Sequence, residues 1–260
     1  SFTAVTEEGD RVFGRNYDFD KTNTAIVYTK PGNGRHASVS TVDLQFLGID
    51  PDTGVTGLAD KLLCLAAPYA PLDGVNDAGV SCGIYMTYQG AETVPTDQQT
   101  DKPDITSTTM LRLILDDAST VDEAIELVEK YDLHDSAGTS YHYMVADAQG
   151  NSAILEWVAG TDQTDNDGTA RQLNVIRNDP EQNYQCITNF IYEEGDDMGG
   201  KDRYDLLTST LEEMNGTVAD DQAAMDVLSL VGRRTWVVEG DHTQGTTVHS
   251  VVYNLTDKTA

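Results

Sequence analysis

The sequence predicts an α+β fold in which strands and helices are segregated along the chain, and three observations carry that prediction. Alternating or continuous apolar runs with strand periodicity occur at 1–6, 11–17, 24–28, 79–88, 141–147 and 152–157. Helical periodicity is confined to two pairs, 108–116 with 121–131 and 203–214 with 220–231, in place of one helix after each strand. Strand patterns close the chain at 235–239 and 246–255. Strands, two helices, strands, two helices and strands again suit two antiparallel sheets packed face to face, each under a helical layer.

The elements justify themselves in order. Glu7-Glu8-Gly9 is a tight turn between the first two strands. Asn76-Asp77-Ala78-Gly79 turns into the strand that starts near Val80, and Asp147-Ala148-Gln149-Gly150-Asn151 has the composition of a hairpin loop. The second helix opens on the capping box Thr120-x-x-Glu123 and places Val121, Ala124, Ile125 and Val128 on one apolar face. Gly216, just past Met214, is a helix stop. The polar stretches 91–104 and 160–169 are expected as loops, and no internal repeat is present. A length of 260 residues suits one domain, 1–260, with a sizeable core.

Composition excludes several classes. With 44 acidic against 16 basic residues the formal charge is -28, and the only tight basic pair is Arg233-Arg234, so nucleic acid is not an expected partner. The acidity reads as a solvated surface. No run of about 18 apolar residues would span a membrane, and no leader pattern is present. Cys64, Cys82 and Cys186 are odd in number and far apart, which argues against a disulfide framework. Cys64 and Cys82 are expected in the core and Cys186 near a pocket, without acting as nucleophile. His36, His134, His142, His242 and His249 show no zinc spacing, and His142 reads as a packed or pocket-edge histidine. No P-loop, nucleophile elbow or EF-hand is formed, so neither metal nor cofactor is expected.

Arg11 to Asp20, and Gly14-Arg15-Asn16-Tyr17-Asp18-Phe19 in particular, carries a resemblance. It resembles the start of the choloylglycine hydrolase, penicillin V acylase and isopenicillin N acyltransferase superfamily of N-terminal-nucleophile amidases. The resemblance implies that fold's four-layer αββα sandwich. It also implies a cysteine, freed by autoprocessing, whose thiol attacks an amide carbonyl while its own α-amine moves the proton. This chain opens on Ser1, and the family register counted back from Gly9 lands two positions before it. A Cys-Ser or Cys-Thr pair ahead of Ser1 is therefore expected, with direct use of Ser1, or an inactive relative, as the other readings.

The same resemblance assigns the site residues. Asp18 would bind the nucleophile's amine and Arg15 would lie close to the thiol and favour its anion, although strand alternation alone sends the two to opposite faces. Asp73-Gly74-Val75-Asn76-Asp77-Ala78-Gly79-Val80 is similar to a family segment whose following strand reaches the site. It offers Tyr85 and Met86 to substrate, with the Met86 N–H as an oxyanion donor. Met86 stands where bile-salt hydrolases carry Asn and penicillin V acylases carry Tyr. Cys186-Ile187-Thr188-Asn189-Phe190 offers the Asn189 amide to the oxyanion, and Lys201-Asp202-Arg203-Tyr204 offers Arg203 as the second site arginine. The short stretch from Asn189 to Arg203 lacks the assembly loop of bile-salt hydrolases, so their tetramer is not implied, and homo-oligomer formation stays open. The expected activity is hydrolysis of the carbon–nitrogen bond in a small N-acyl compound through a thioester, with acyl transfer or an inactive acyl-binding member as alternatives. The expected compartment is cytoplasmic, or an exported one with the leader removed.

Overall fold

The structure is a computed structural model of the 260-residue chain, and it describes residues 1–20, 22–87, 100–134, 141–159, 171–192, 199–234, 237–239 and 242–260. Strand β1 (Phe2–Thr6) turns at Gly9 into β2 (Arg11–Phe19), and β3 (Thr24–Thr29) and β4 (Ser38–Asp43) follow. A 3-10 turn (Leu44–Leu47), α1 (Leu58–Leu63) and a second 3-10 turn (Cys64–Tyr69) lead to β5 (Asp73–Asn76) and β6 (Ser81–Met86). Strand β7 (Asp104–Thr106) enters α2 (Ser107–Asp117) and α3 (Val121–Val128), and β8 (Asp132–His134) pairs back onto β7. A meander of β9 (Tyr141–Ala146), β10 (Ser152–Ala159) and β11 (Arg171–Arg177) precedes the short β12 (Gln185–Cys186). The chain ends with α4 (Lys201–Glu213), β13 (Thr217–Val218), α5 (Asp221–Leu230), β14 (Val237–Glu239), β15 (His242–Gln244) and β16 (Thr246–Asn254).

Among the described residues these strands build a 7-stranded sheet, β11-β10-β9-β6-β5-β4-β3, and a 5-stranded sheet, β12-β1-β2-β16, to which β13 adds by pairing with β1. Helices α2 and α3 lay Met110, Leu111, Ile114, Leu115, Val121 and Val128 against Cys82, Ile84, Tyr143 and Trp157 of the larger sheet. Helices α4 and α5 lay Leu207, Leu211 and Leu228 against Phe2, Ala4 and Val12 of the smaller one. Between the sheets Phe13 and Tyr253 meet Val75, Tyr85, Met144 and Ile154. Each such side chain contributes roughly 1.5–3 kcal/mol on burial, and the result is the αββα sandwich. With both of its faces covered, β2 is buried at Val12, Phe13, Gly14 and Arg15 in succession.

The local signals explain the boundaries. The Thr120 hydroxyl caps α3 by accepting from the Glu123 N–H at 3.1 Å, while the Glu123 carboxylate reaches back to the Ser119 N–H at 2.7 Å. Gly216, at positive φ, donates to Leu211 O at 2.7 Å and closes α4. The Asp147 carboxylate organises its hairpin by accepting from the N–H groups of Gln149 and Asn151, and it also takes the Val121 N–H at the start of α3.

Several elements carry no apolar period. Strands β4 and β5 read Ser-Val-Ser-Thr-Val-Asp and Asp-Gly-Val-Asn, yet they are buried almost throughout because their polar groups pair across the interior. Cys64 differs from its expected place in the core. It is half-buried in a stretch where Leu62, Leu63 and Leu65 are exposed, because those residues form short helical turns beside the sheet edge and no strand within it. Residues 91–99 and 160–169 of the two expected loops lie outside the described residues.

Candidate active site

The β1–β12 ladder sets the floor of the site. Phe2 faces Cys186 and Thr3 faces Gln185, and one step further Ser1 exchanges bonds with Ile187. The Ser1 amine donates to Ile187 O at 3.1 Å and the Ile187 N–H donates to Ser1 O at 3.0 Å.

Five residues, Thr247, Asp18, Arg203, Asn189 and Met86, form one hydrogen-bonded chain beside this ladder. Asp18, near the end of β2, accepts from the Thr247 hydroxyl at 2.6 Å and faces Arg203 Nη1 at 3.4 Å. Arg203, in the first turn of α4, also donates through Nη2 to Asn189 Oδ1 at 2.7 Å. Asn189 in turn donates through Nδ2 to the carbonyl of Met86 at 2.8 Å. A carboxamide nitrogen carries two hydrogens. With Oδ1 held by arginine and one N–H held by a carbonyl, the second N–H of Asn189 has its direction set in advance. Met86 thus meets Asn189 through its carbonyl.

Arg15 and Asp18 lie on opposite faces of β2, as alternation requires. Asp18 turns toward the helical layer of Arg203, whereas Arg15 lies between the sheets, where its Nε pairs with the Asp73 carboxylate at 2.8 Å. Arg15 also stacks over the Tyr85 ring, 4.6 Å from its centroid. A Cβ on Gly83 would stand 2.6 Å from Arg15 Nη1, so a glycine in β6 makes room for the guanidinium. Tyr85 is accordingly an interior side chain packed on Arg15.

Asp73 is fully buried and was given no role by the sequence. Burial opposes its ionisation, but Arg15 overrides that, helped by the Thr41 hydroxyl at 2.6 Å and the Tyr253 hydroxyl at 2.5 Å, so its pKa stays low. His249 Nε2 lies 3.8 Å from the same carboxylate. Arg233 also escaped sequence reasoning, whereas His142 is packed as the sequence suggested. Arg233 Nε lies 3.7 Å from Asp18, and the Arg233 N–H donates to the Thr247 hydroxyl oxygen at 2.7 Å. His142, fully buried, bonds Thr188 O at 2.7 Å through Nε2, directly before Asn189. The available signals were the lone Arg-Arg pair in an acidic chain and the Asp that opens the Asp73–Val80 segment.

Neither Cys82 nor Cys186 is activated by this arrangement. Burial pushes the thiols of Cys82 and Cys186 up, that of Cys186 to about 11, and Cys64 packs with Val42, Leu44 and Ala67. Among the described residues no group of three or more His, Cys, Asp or Glu could hold a metal ion, and no helix is long and apolar enough to cross a membrane.

The chain is similar to known proteins. The family model described as linear amide C-N hydrolases, choloylglycine hydrolase family, matches residues 1–194. A variant of the conjugated bile acid hydrolase from Clostridium perfringens superposes with a TM-score of 0.63 at 15% identity, over 98% of this chain and 86% of that one. Penicillin V acylase from Agrobacterium tumefaciens gives 0.58 at 17% identity, over 99% and 80%. The Caenorhabditis elegans ortholog of N-acylethanolamine-hydrolyzing acid amidase gives 0.56 at 17%, over 98% and 92%. At such identities the structural likeness speaks for the N-terminal-nucleophile hydrolase fold. No curated protein matches the chain by sequence.

Proposed function

Since the chain belongs to the choloylglycine hydrolase family of linear amide C–N hydrolases, we propose that it cleaves the amide of a small N-acyl compound through a cysteine two positions ahead of Ser1. The observation that carries this reading is the ladder register. Phe2 faces Cys186, and the same antiparallel pairing carried past Ser1 sets the second position before it opposite Asn189. Strand alternation gives that position the face of Ser1, which by the β1–β2 register is also the face of Arg15. The Ser1 nitrogen already bonds within the ladder as that of a residue inside a strand does, which favours a nucleophile further along over Ser1 itself.

In this mechanism the thiol proton passes to the cysteine's own α-amine, and the thiolate attacks the carbonyl carbon. A carbon–sulfur bond forms and the carbonyl oxygen becomes an oxyanion, which accepts from the second N–H of Asn189. Collapse breaks the carbon–nitrogen bond as the ammonium returns its proton to the leaving amine. Water then attacks the thioester, the amine takes up a proton, and the acyl acid leaves with the thiol restored. Asp18 holds the ammonium, Arg203 holds Asp18 and Asn189 in one frame, and Arg15 favours the thiolate.

N-terminal sequencing and intact mass of the purified protein, with alkylation by iodoacetamide, test the reading. The expected result is a mature chain opening on cysteine whose alkylation abolishes amide hydrolysis. A mature chain that opens on Ser1 and hydrolyses amides at full rate removes the thiol from the mechanism.

A further inference from the structure

Between the start of α4 and the end of α5 lies a cavity of about 220 Å³, with Arg203 and Arg233 among its lining residues. Leu206, Leu230 and Val231 give it an apolar wall, and Asp202 also lines it. Leu206 and Leu230 are exposed, so this wall is open to a ligand. Asp18, which faces both arginines, joins the cavity to the hydrogen-bonded chain of the site.

The two arginines differ in what they already do. Arg203 is engaged by Asn189 at 2.7 Å. Arg233 approaches Asp18 only at 3.7 Å, beyond hydrogen-bond reach, so the pair is a loose electrostatic one. A guanidinium offers five N–H donors in a planar fork that matches a carboxylate. The Arg233 backbone is pinned on both sides, since its N–H donates to the Thr247 hydroxyl at 2.7 Å and its carbonyl accepts from the Thr247 N–H at 2.8 Å. That same hydroxyl donates to Asp18, so Arg233 stands at a set distance from the reacting centre. In a chain of formal charge -28 the long-range field repels anions, and an anionic substrate needs local cations to be held.

We propose that Arg233 is a specificity-determining residue that takes the carboxylate of an N-acylated, apolar α-amino acid, whose side chain lies along Leu206 and Leu230. The assignment rests on the amidase reading above and names the amine side of its substrate.

The test measures binding and turnover separately on the full mature chain. N-acetyl-leucine and N-acetyl-leucinamide are titrated by calorimetry, and hydrolysis of both is followed across a series of longer acyl chains. The carboxylate is expected to bind about 10- to 100-fold more tightly than the amide, the scale of hydrogen bonds to a charged group. Arg233→Gln should bring that ratio to within a few-fold, and Arg233→Lys should keep part of it, with the change appearing in KM. Equal binding of the two ligands by the wild type overturns the assignment, as does an Arg233→Gln protein, folded by circular dichroism, that keeps the ratio. A binding preference without hydrolysis of any acyl compound leaves the carboxylate site standing and overturns the amidase reading.

Discussion

At the scale of single residues, the site depends on which hydrogen of a side chain is already engaged. Asn189 is held at Oδ1 by Arg203 and through one N–H by the Met86 carbonyl, so its remaining donor needs no reorganisation when charge develops on a carbonyl oxygen. Asn189→Ala should lower kcat by about 10²- to 10³-fold with little change in melting temperature; an unaltered kcat on any hydrolysed amide would take Asn189 out of the mechanism. His142 acts one residue away, by donating from Nε2 to Thr188 O while its buried Nδ1 has no partner among the described residues. Burial, the main cause, pushes its pKa from 6.5 down to about 4. Between those values the unfolded chain binds a proton that the folded chain refuses. This contribution to stability is therefore complete above pH 6.5 and falls as the pH drops through the window, at up to about 1.4 kcal/mol per pH unit. Urea denaturation of wild type and His142→Gln from pH 7.5 to 4.5 should show the shallower slope in the variant, and equal slopes would show that His142 titrates alike in both states.

At the scale of elements, a strand with two buried faces lets one sequence segment serve two sites. Phe13 and Arg15 of β2 enter the space between the sheets, Tyr17 reaches across to Asp43 of the larger sheet, and Asp18 faces the helical layer, while the register of β16 shifts between Thr247 and His249 beside it. That shift marks an irregularity of the kind that re-aims side chains next to sites. Helix α4 is placed just as closely. Its N-cap, Gly200, has φ of 81°, and a Cβ there would stand 2.7 Å from Arg203 Nη2 and 3.1 Å from Thr188 Cβ. Gly200→Ala should cost about 1–2 kcal/mol of stability through left-handed strain. It should also displace the guanidinium from Asn189, so kcat should fall by more than the loss of folded protein explains. A kcat per folded molecule equal to that of wild type would show that Arg203 tolerates the shift.

At the scale of the whole molecule, 44 acidic residues against 16 basic ones make the folded state repel itself. Salt shortens the Debye length from about 10 Å at 0.1 M to about 3 Å at 1 M, so the melting temperature should rise by a few degrees over that range in sodium chloride; a flat or falling curve would mean that the charges are too dispersed to matter. Much of the architecture is legible in the chain because it is local. Period-two runs, the Thr120 cap and the Gly216 stop lie where neighbouring residues decide conformation, and the ordered short motifs from Arg15 to Arg203 carry the family. Strands β4 and β5 were not legible, because their Ser, Thr and Asp residues become interior only by pairing with groups from other elements, as Thr41 and Tyr253 do with Asp73. Cys64 failed for the converse reason, since an apolar run does not reveal that it lies beside a sheet edge. The sequence by itself determined the α+β class, the family and the identity of Arg15, Asp18, Asn189 and Arg203 as candidates. Only the tertiary structure decided that Arg15 is bound to a buried Asp73, that Met86 meets Asn189 through its carbonyl, and that Arg233 stands beside Asp18. Those contacts join residues separated by tens to hundreds of positions, and no local preference of the chain encodes a distance between strands of different sheets.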